Sequence, residues 1–357
     1  MTLETVQIAH GATLAPDNIP LHFGDTRREY HAALETAVLM NRSHEGRIEL
    51  VGDDRAAFLH RMSTNDLLNM AVDEGRPTIF TNPNARILDR AIVYNREGRL
   101  LLLTEPGRAQ ALLDYLQRQI FFNDKVRLHD VTESTRQFAL HGPQADAVMA
   151  ALIPNATDVP PLCGVATTIA DVPVFVARRK PISESHWVVV VPFEHAAAVW
   201  TTLLEEGEPH GLVPAGSLIY NTLRIRAGRP AGRELSTEYI PLEVGLWDEI
   251  SFTKGCYTGQ EIIARMDSRN RLAKAMVRLI LRAPLDAPTT LFHEGRVVGT
   301  LTSSVITPDD EHLGLGVVKF DVADVGVILS AGEGGVEAEI VARAGTLPPQ
   351  LVGEETH

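Results

Sequence analysis

The sequence predicts an α+β protein that ends in a small all-β domain. Three observations predict it. Strand-type and helix-type segments follow one another in a β-α-β-β-α order that is met in two successive rounds, the pattern of ferredoxin-like units. From Met276 onward no segment of helical period exceeds two turns, and short β-type runs alternate with Gly, Pro and Asp clusters. The chain has 357 residues, 45% of them hydrophobic, enough for two or three domains with cores of their own.

The elements come in this order. Residues 1–25 show no clear period and read as an irregular arm. A helix is expected over Thr26–Met40, then a strand at Ile48–Val51. Gly52-Asp53 punctuates that strand, and Asp53 is placed to cap a helix with Phe58, Leu59 and Met62 on one face. Strands at Thr78–Thr81, Ile87–Tyr94 and Arg99–Thr104 are joined by Asn82-Pro83-Asn84 and Asn95-Arg96-Glu97-Gly98, which is hairpin turn chemistry. A helix from about Pro106 to Gln119 sets Leu112, Leu113, Leu116 and Ile120 at helical spacing. The second round comprises strand Thr135–Leu140, helix Pro143–Leu152, strands near Val172–Ala177 and His186–Val191, and helix Phe193–Glu206. The proline-rich stretch Ile153–Gly164 reads as a surface loop, and Ala215–Gly228 as a helix ended by Gly228 and Pro230. The main boundary is expected near Lys274.

Charge and cysteine usage narrow the function classes. Lys and Arg total 33 against 46 Asp and Glu, a formal net charge of −13, which opposes general nucleic-acid binding. Cys163 and Cys256 cannot build a disulfide framework, and two thiolates are too few for an iron–sulfur cluster within one chain. No H-E-x-x-H and no Cys/His pairing at zinc spacing occurs, so no metal site is expected. The first twenty residues lack a basic start followed by an apolar run, and no run approaches the length of a membrane span. A soluble protein of a reducing cytoplasm, without membrane contact, is the expectation.

Lys254-Gly255-Cys256-Tyr257-Thr258-Gly259-Gln260-Glu261 is the most informative stretch. Its two glycines argue for a tight backbone excursion. Thr258 and Glu261 stand at capping-box spacing ahead of Ile262, Ile263 and Met266, which predicts Thr258 as the N-cap of a short helix. Cys256 then lies just before a helix N-terminus with Lys254 nearby, a setting that favours the thiolate. A glycine-rich turn with a buried, inert cysteine is the competing reading of the same residues. Cys163, in a proline-rich loop with no charged neighbour, reads as structural.

The octapeptide resembles, position for position, the K-G-C-Y-T-G-Q-E motif of the YgfZ-type folate-binding proteins, relatives of the glycine-cleavage T-protein. The resemblance continues through Ala264-Arg265, Arg269 and Arg271. Gly46-Arg47-Ile48, Gly52-Asp53-Asp54, Phe58-Leu59 and Ser63-Thr64-Asn65-Asp66 look like the start of the T-protein fold. Asn84-Ala85-Arg86-Ile87-Leu88-Asp89 resembles the hairpin carrying its folate-side aspartate, and Glu294–Ser304 the first half of its terminal barrel. The resemblance implies a T-protein-like ring of three domains. Residues 1–274 would be a folate-binding, aminomethyltransferase-like region of two intertwined α+β units, split near 134–210. Residues 275–357 would be the C-terminal β-barrel.

The same resemblance implies the site. Cys256 is the reactive residue, and Asp89 a carboxylate beside the pterin, where it stabilises positive charge or shuttles a proton. Arg226, Lys254, Gly255, Tyr257, Glu261 and Arg265 fall at cofactor-binding positions. The implied cofactor is tetrahydrofolate or a derivative such as the 5,10-methylene or 5-formyl form. Two positions depart from the pattern. Asp89-Arg90 stands where the T-protein has two aspartates. Arg226, in Leu223-Arg224-Ile225-Arg226-Ala227-Gly228, stands where the family has the glutamate that grips the pterin amino groups. A guanidinium cannot accept those hydrogen bonds, which leaves Glu234 or Glu238 as replacement, a different mode of binding, or its loss. Arg265, Arg269, Arg271, Lys274 and Arg278 form a basic run, read either as a solvated face or as a site for a folate glutamate tail. The implied role is an accessory protein for iron–sulfur enzymes, including tRNA-modifying ones, with those proteins or their assembly factors as partners. Aminomethyl transfer to folate is the alternative, and a scaffold without ligand is a third reading.

Overall fold

The computed structural model describes residues 1–269 and 272–346. By its internal contacts the chain divides into two compact units. The first contains Met1–Phe58, Asn69–Arg76 and Ala91–Leu223; the second contains Leu59–Leu68, Pro77–Arg90 and the described residues from Arg224 onward. The stretch between 224 and the barrel therefore groups with the barrel.

In chain order the elements are α1 (Leu3–Ala9), β1 (Thr13–Leu14), β2 (Pro20–His22), α2 (Thr26–Glu35), β3 (Ala37–Asn41), β4 (Glu45–Val51), α3 (Arg55–Met62), β5 (Gly75–Thr81), β6 (Ile87–Arg96), β7 (Arg99–Pro106), α4 (Ala109–Gln117) and β8 (Arg127–Asp130). The second round supplies β9 (Thr135–His141), α5 (Ala145–Leu152), β10 (Gly164–Ile169), β11 (Val172–Arg178), β12 (His186–Pro192), α6 (Ala196–Gly207) and β13 (Leu212–Ala215). After α7 (Ser217–Arg226) and α8 (Gln260–Arg269) come β14 (Lys274–Leu281), β15 (Thr289–His293), β16 (Arg296–Ile306), β17 (His312–Lys319), β18 (Ile328–Ala331) and β19 (Val336–Arg343).

The two rounds repeat one strand order, and one strand changes sheet. One sheet runs β5-β6-β7-β4-β8 and the other β10-β11-β12-β9-β3-β13. β8 lies antiparallel to β4, and β3 occupies the matching place antiparallel to β9. β3, from the first round, thus lies in the sheet of the second. Gly52 and Gly142 end the matching strands β4 and β9 at φ +110° and +115°. A Cβ on either would strike backbone, Lys125 O at 2.1 Å and Thr36 O at 2.5 Å respectively.

β12 shows why its sequence reads as a continuous apolar run. Trp187, Val189 and Val191 join the core beneath α5 and α6, while Val188 and Val190 join a second core with Ile92, Leu101 and Leu103 of the other sheet. In that second core Tyr94 meets Phe175 edge-on at 5.1 Å.

The C-terminal segment closes as a barrel, β14-β17-β16-β15-β18-β19. Among the described residues beyond β14 the helical structure is one 3-10 turn, Phe320–Val322. The expected α+β fold with a terminal β-barrel is the fold observed.

Several element boundaries need correction. The helix expected over Thr26–Met40 stops at Glu35, and β3 follows with all five residues buried. A strand buried on both faces lacks alternation, so it passed for the end of an amphipathic helix. The expected helix Ala215–Gly228 is shorter, and its first residue belongs to β13, parallel to β3. The opening arm contains α1, capped by the Thr2 side chain. Ile120 lies beyond the end of α4. Asp53 does not precede α3 directly; Asp54 does, and Asp53 is an exposed partner of Lys125 at 3.7 Å.

Candidate functional site

The expected site residues fall in the second unit. Asp89 lies on β6 and is buried, so it is not the solvent-facing member of an alternating strand. Its Oδ1 accepts the backbone N–H of Arg90 at 2.8 Å. The Arg90 side chain is also buried and is clamped by both oxygens of Glu249, from Nε at 2.9 and 2.7 Å and from a terminal nitrogen to Oε1 at 2.6 Å. The arginine that stands where the T-protein has an aspartate thus brings its own carboxylate. Sequence reading missed Glu249. The available signal was adjacent charges inside an apolar strand, since a buried arginine calls for acceptors, most often a carboxylate.

Arg226 is resolved in a similar way. It ends α7 exposed and pairs with Glu311 at 2.8 Å. Glu234 cannot serve as its replacement toward a ligand. It is fully buried, accepts from Ser303 Oγ at 2.7 Å and from the Ala231 N–H at 3.1 Å, and lies 3.5 Å from Arg224. Glu238 is exposed.

The 254–261 motif is a loop pinned at both ends. Lys254 is buried, and its ammonium donates to the carbonyls of His60, Ser63 (2.6 Å) and Asn65 (3.0 Å). That uses all three of its N–H donors. The expectation of Lys254 as a cofactor-binding residue thus meets an ammonium whose donors already have partners within the protein. Tyr257 is buried too, with its phenol pushed up to about 12 by burial, and its ring lies 5.1 Å from the Lys254 nitrogen. Between these anchors Gly255 and Cys256 are exposed. The reading of Cys256 as a buried residue is excluded.

Thr258 is not the helix N-cap. Its carbonyl accepts from Thr81 Oγ1 at 2.5 Å, and Gly259 intervenes at φ +86° before α8 starts at Gln260. The capping-box register fails by one residue because the cap position is held by this glycine. A Cβ there would meet Asn82 O at 2.8 Å and Ala85 Cα at 2.9 Å, so the loop packs tightly on the β5–β6 turn. Gly255, by contrast, has nothing within 4 Å of a Cβ. Ile263 is buried and Ile262 and Met266 partly so, as expected of α8. Glu261 and Arg265 are exposed on that helix.

The described part of the basic run spans two elements. Arg265 is on α8, while Lys274 and Arg278 are on β14, with the Lys274 ammonium 5.2 Å from the Tyr239 ring centre. Arg271 lies outside the described residues, and the Arg269 side chain is not described. Cys163 is half-buried, and burial, followed by the Glu74 charge, raises its thiol. Among the described residues no group of three or more His, Cys, Asp or Glu could hold a metal ion, and no helix is long and apolar enough to cross a membrane.

A family model described as the GCVT N-terminal domain matches residues 9–254. The chain belongs to the GCVT family. It is 34% identical over 354 residues to a protein of Arabidopsis thaliana described as a putative chloroplastic transferase, covering 97% of this chain and 80% of that one. It is 30% identical over 319 residues to an aminomethyltransferase of Streptomyces coelicolor, covering 86% and 85%. The crystal structure of the glycine cleavage system aminomethyltransferase T from Bartonella henselae superposes with a TM-score of 0.84 at 23% identity, over 96% of this chain and 97% of that one. The T-protein-like fold implied by the motif is therefore the fold of this GCVT-family chain.

Proposed function

We propose that the chain is a YgfZ-type member of the GCVT family that binds a reduced folate and acts through the Cys256 thiol in support of iron–sulfur enzymes. The observation that carries this reading is the presentation of Cys256: an exposed thiol on a loop whose flanking residues are both buried and anchored. Asp89 fits a folate, being a buried carboxylate in the hairpin that resembles the folate-side hairpin of the T-protein. Tetrahydrofolate supplies a nitrogen that carries a one-carbon unit. Asp89 would hold the pterin nitrogens and counter positive charge there. Arg226, paired with Glu311, does not fit the role of the family glutamate, so the pterin is held with fewer acceptors. The Asp89→Asn variant should weaken binding of 5-formyltetrahydrofolate by about tenfold, measured by titration calorimetry. Cys256→Ser should fold, still bind folate, and fail to restore iron–sulfur enzyme activity in cells lacking the protein. Restoration by Cys256→Ser would remove the thiol from the mechanism.

Aminomethyl transfer is the second reading, favoured by the aminomethyltransferases among its relatives. Formation of methylenetetrahydrofolate from an aminomethyl-lipoyl donor, undiminished in Cys256→Ser, would establish it over the first.

A further inference from the structure

Lys254 belongs to the motif that carries the functional reading, yet its geometry is that of a fastener. Of the carbonyls it binds, that of His60 belongs to the end of α3, and those of Ser63 and Asn65 sit on a turn that is itself fixed. Thr64 makes two bonds with Ile79 of β5, its backbone N–H donating to Ile79 O at 3.0 Å and its side-chain Oγ1 accepting the Ile79 N–H at 3.0 Å. The Thr64 hydroxyl donates to Glu249 O at 2.8 Å. Asn65 is held by Thr78 Oγ1 and Pro77 O, at 3.0 and 2.8 Å. The lysine's own backbone N–H donates to Ser251 Oγ at 3.2 Å, and Ser251 N–H returns to Thr64 O at 3.0 Å. The chain just before Gly255 is therefore tied to one turn. The chain after Cys256 is tied to another, the β5–β6 turn, through Thr258 and Gly259.

We infer that Lys254 is a positioning residue for Cys256, fastening the loop that presents the thiol to the Ser63–Asn65 turn and contributing no donor to a ligand. This rests on the reading of Cys256 as the functional thiol. A compact ammonium on a flexible stem can direct three N–H bonds at three converging carbonyls; a planar guanidinium cannot. The charged groups around it are few. Asp66 favours the ammonium, and His60, 3.3 Å from Asp66, is held below its ordinary value by burial and then by the Lys254 charge. Tyr257 stays neutral. Burial pushes the ammonium itself down to about 8. An amine keeps two N–H groups for three carbonyls, so loss of the proton leaves one buried acceptor bare and loosens the loop.

The test compares wild type with Lys254→Met and Lys254→Arg in the full chain. In both variants, amide hydrogen exchange at Gly255 and Cys256 should rise about tenfold or more, with Ile79 and Ile263 unchanged. Affinity for 5-formyltetrahydrofolate should stay within about threefold of wild type, while iodoacetamide alkylation of Cys256, expected to be slowed by bound folate in wild type, should not be slowed in the variants. A loss of folate affinity beyond about tenfold in Lys254→Met, with Gly255 and Cys256 exchange unchanged, would make Lys254 a ligand-binding group and overturn the inference. If wild type binds no folate, the proposed function falls, and the exchange measurement still decides the role of Lys254. Should Lys254→Met not fold, Ser251→Ala removes the acceptor at the lysine's backbone, along with the 3.5 Å contact to Thr253 Oγ1; exchange at Gly255 and Cys256 should then rise about threefold, and no rise would refute the fastening.

Discussion

Two of the buried charged clusters, one in each unit, differ in what lies next to them. In the first unit the Glu45 carboxylate is enclosed by Arg42 Nε at 2.8 Å, Arg179 at 3.3 Å and Gln137 Nε2 at 2.5 Å. Arg42 also stacks on Tyr220, 3.5 Å from the ring centre. All five residues are buried, so this centre ends inside the protein. In the second unit, Lys254 is enclosed by carbonyls and Arg90 by Glu249, and the residues directly after Lys254 are exposed and include a thiol. The contrast sets a buried charge that ends inside the protein apart from one that fastens the chain beside an exposed thiol.

The largest effect should come from breaking the sealed centre. Glu45→Ala leaves two buried guanidinium groups without their carboxylate and should cost about 3–5 kcal/mol, read from urea unfolding. Alkylation of Cys256 in the folded fraction should not change, because the thiol belongs to the other centre. Altered alkylation would erase the distinction between the two.

Acid should sharpen the comparison. His44, beside the sealed centre, is held down to about 4 by burial and the Arg42 charge. Between about 6.5 and 4 the unfolded chain binds a proton there that the folded chain does not, so stability falls as pH drops through that window. Burial raises the Glu45 carboxyl, but the Arg42 and Arg179 charges outweigh it and hold the group well below the usual range. Its contribution is present above the ordinary carboxylate range and is lost as pH falls further. Together the two groups make the first unit acid-labile. His44→Gln should remove on the order of 2 kcal/mol of the loss between pH 7 and 4.5, measured by thermal unfolding.

Within the exposed loop the two glycines should separate. Gly259→Ala puts a methyl against backbone at positive φ and should cost about 1–3 kcal/mol. Gly255→Ala meets open space and should fall within about 0.5 kcal/mol of wild type. Equal costs would mean that the loop is not clamped on the β5–β6 turn. The smallest effect belongs to the exposed Arg226–Glu311 pair, where either single charge reversal should cost about 0.2–1 kcal/mol and the double reversal recover most of it. Arg226→Glu should tighten folate binding only if the pterin reaches this helix end. Unchanged binding would place the pterin elsewhere.

The sequence by itself determined the fold class, the all-β texture after Met276, the duplication of the α+β round and the family, because periodicity and a contiguous octapeptide are local properties. It also placed Cys256 outside any helix. What it could not decide were the partners of charges. Glu249 lies 159 positions from Arg90, and the carbonyls that hold Lys254 lie 189 to 194 positions away, so no local pattern joins them. It also misjudged β3, whose two faces are buried in separate cores, Ala37 and Leu39 with residues of α5 and α6, Val38 and Met40 with residues of α2 and α7. Thr258 looked like a cap because capping-box spacing is a local signal. The tertiary structure decided otherwise, since packing of Gly259 against the β5–β6 turn demands a backbone conformation that moves the helix start to Gln260.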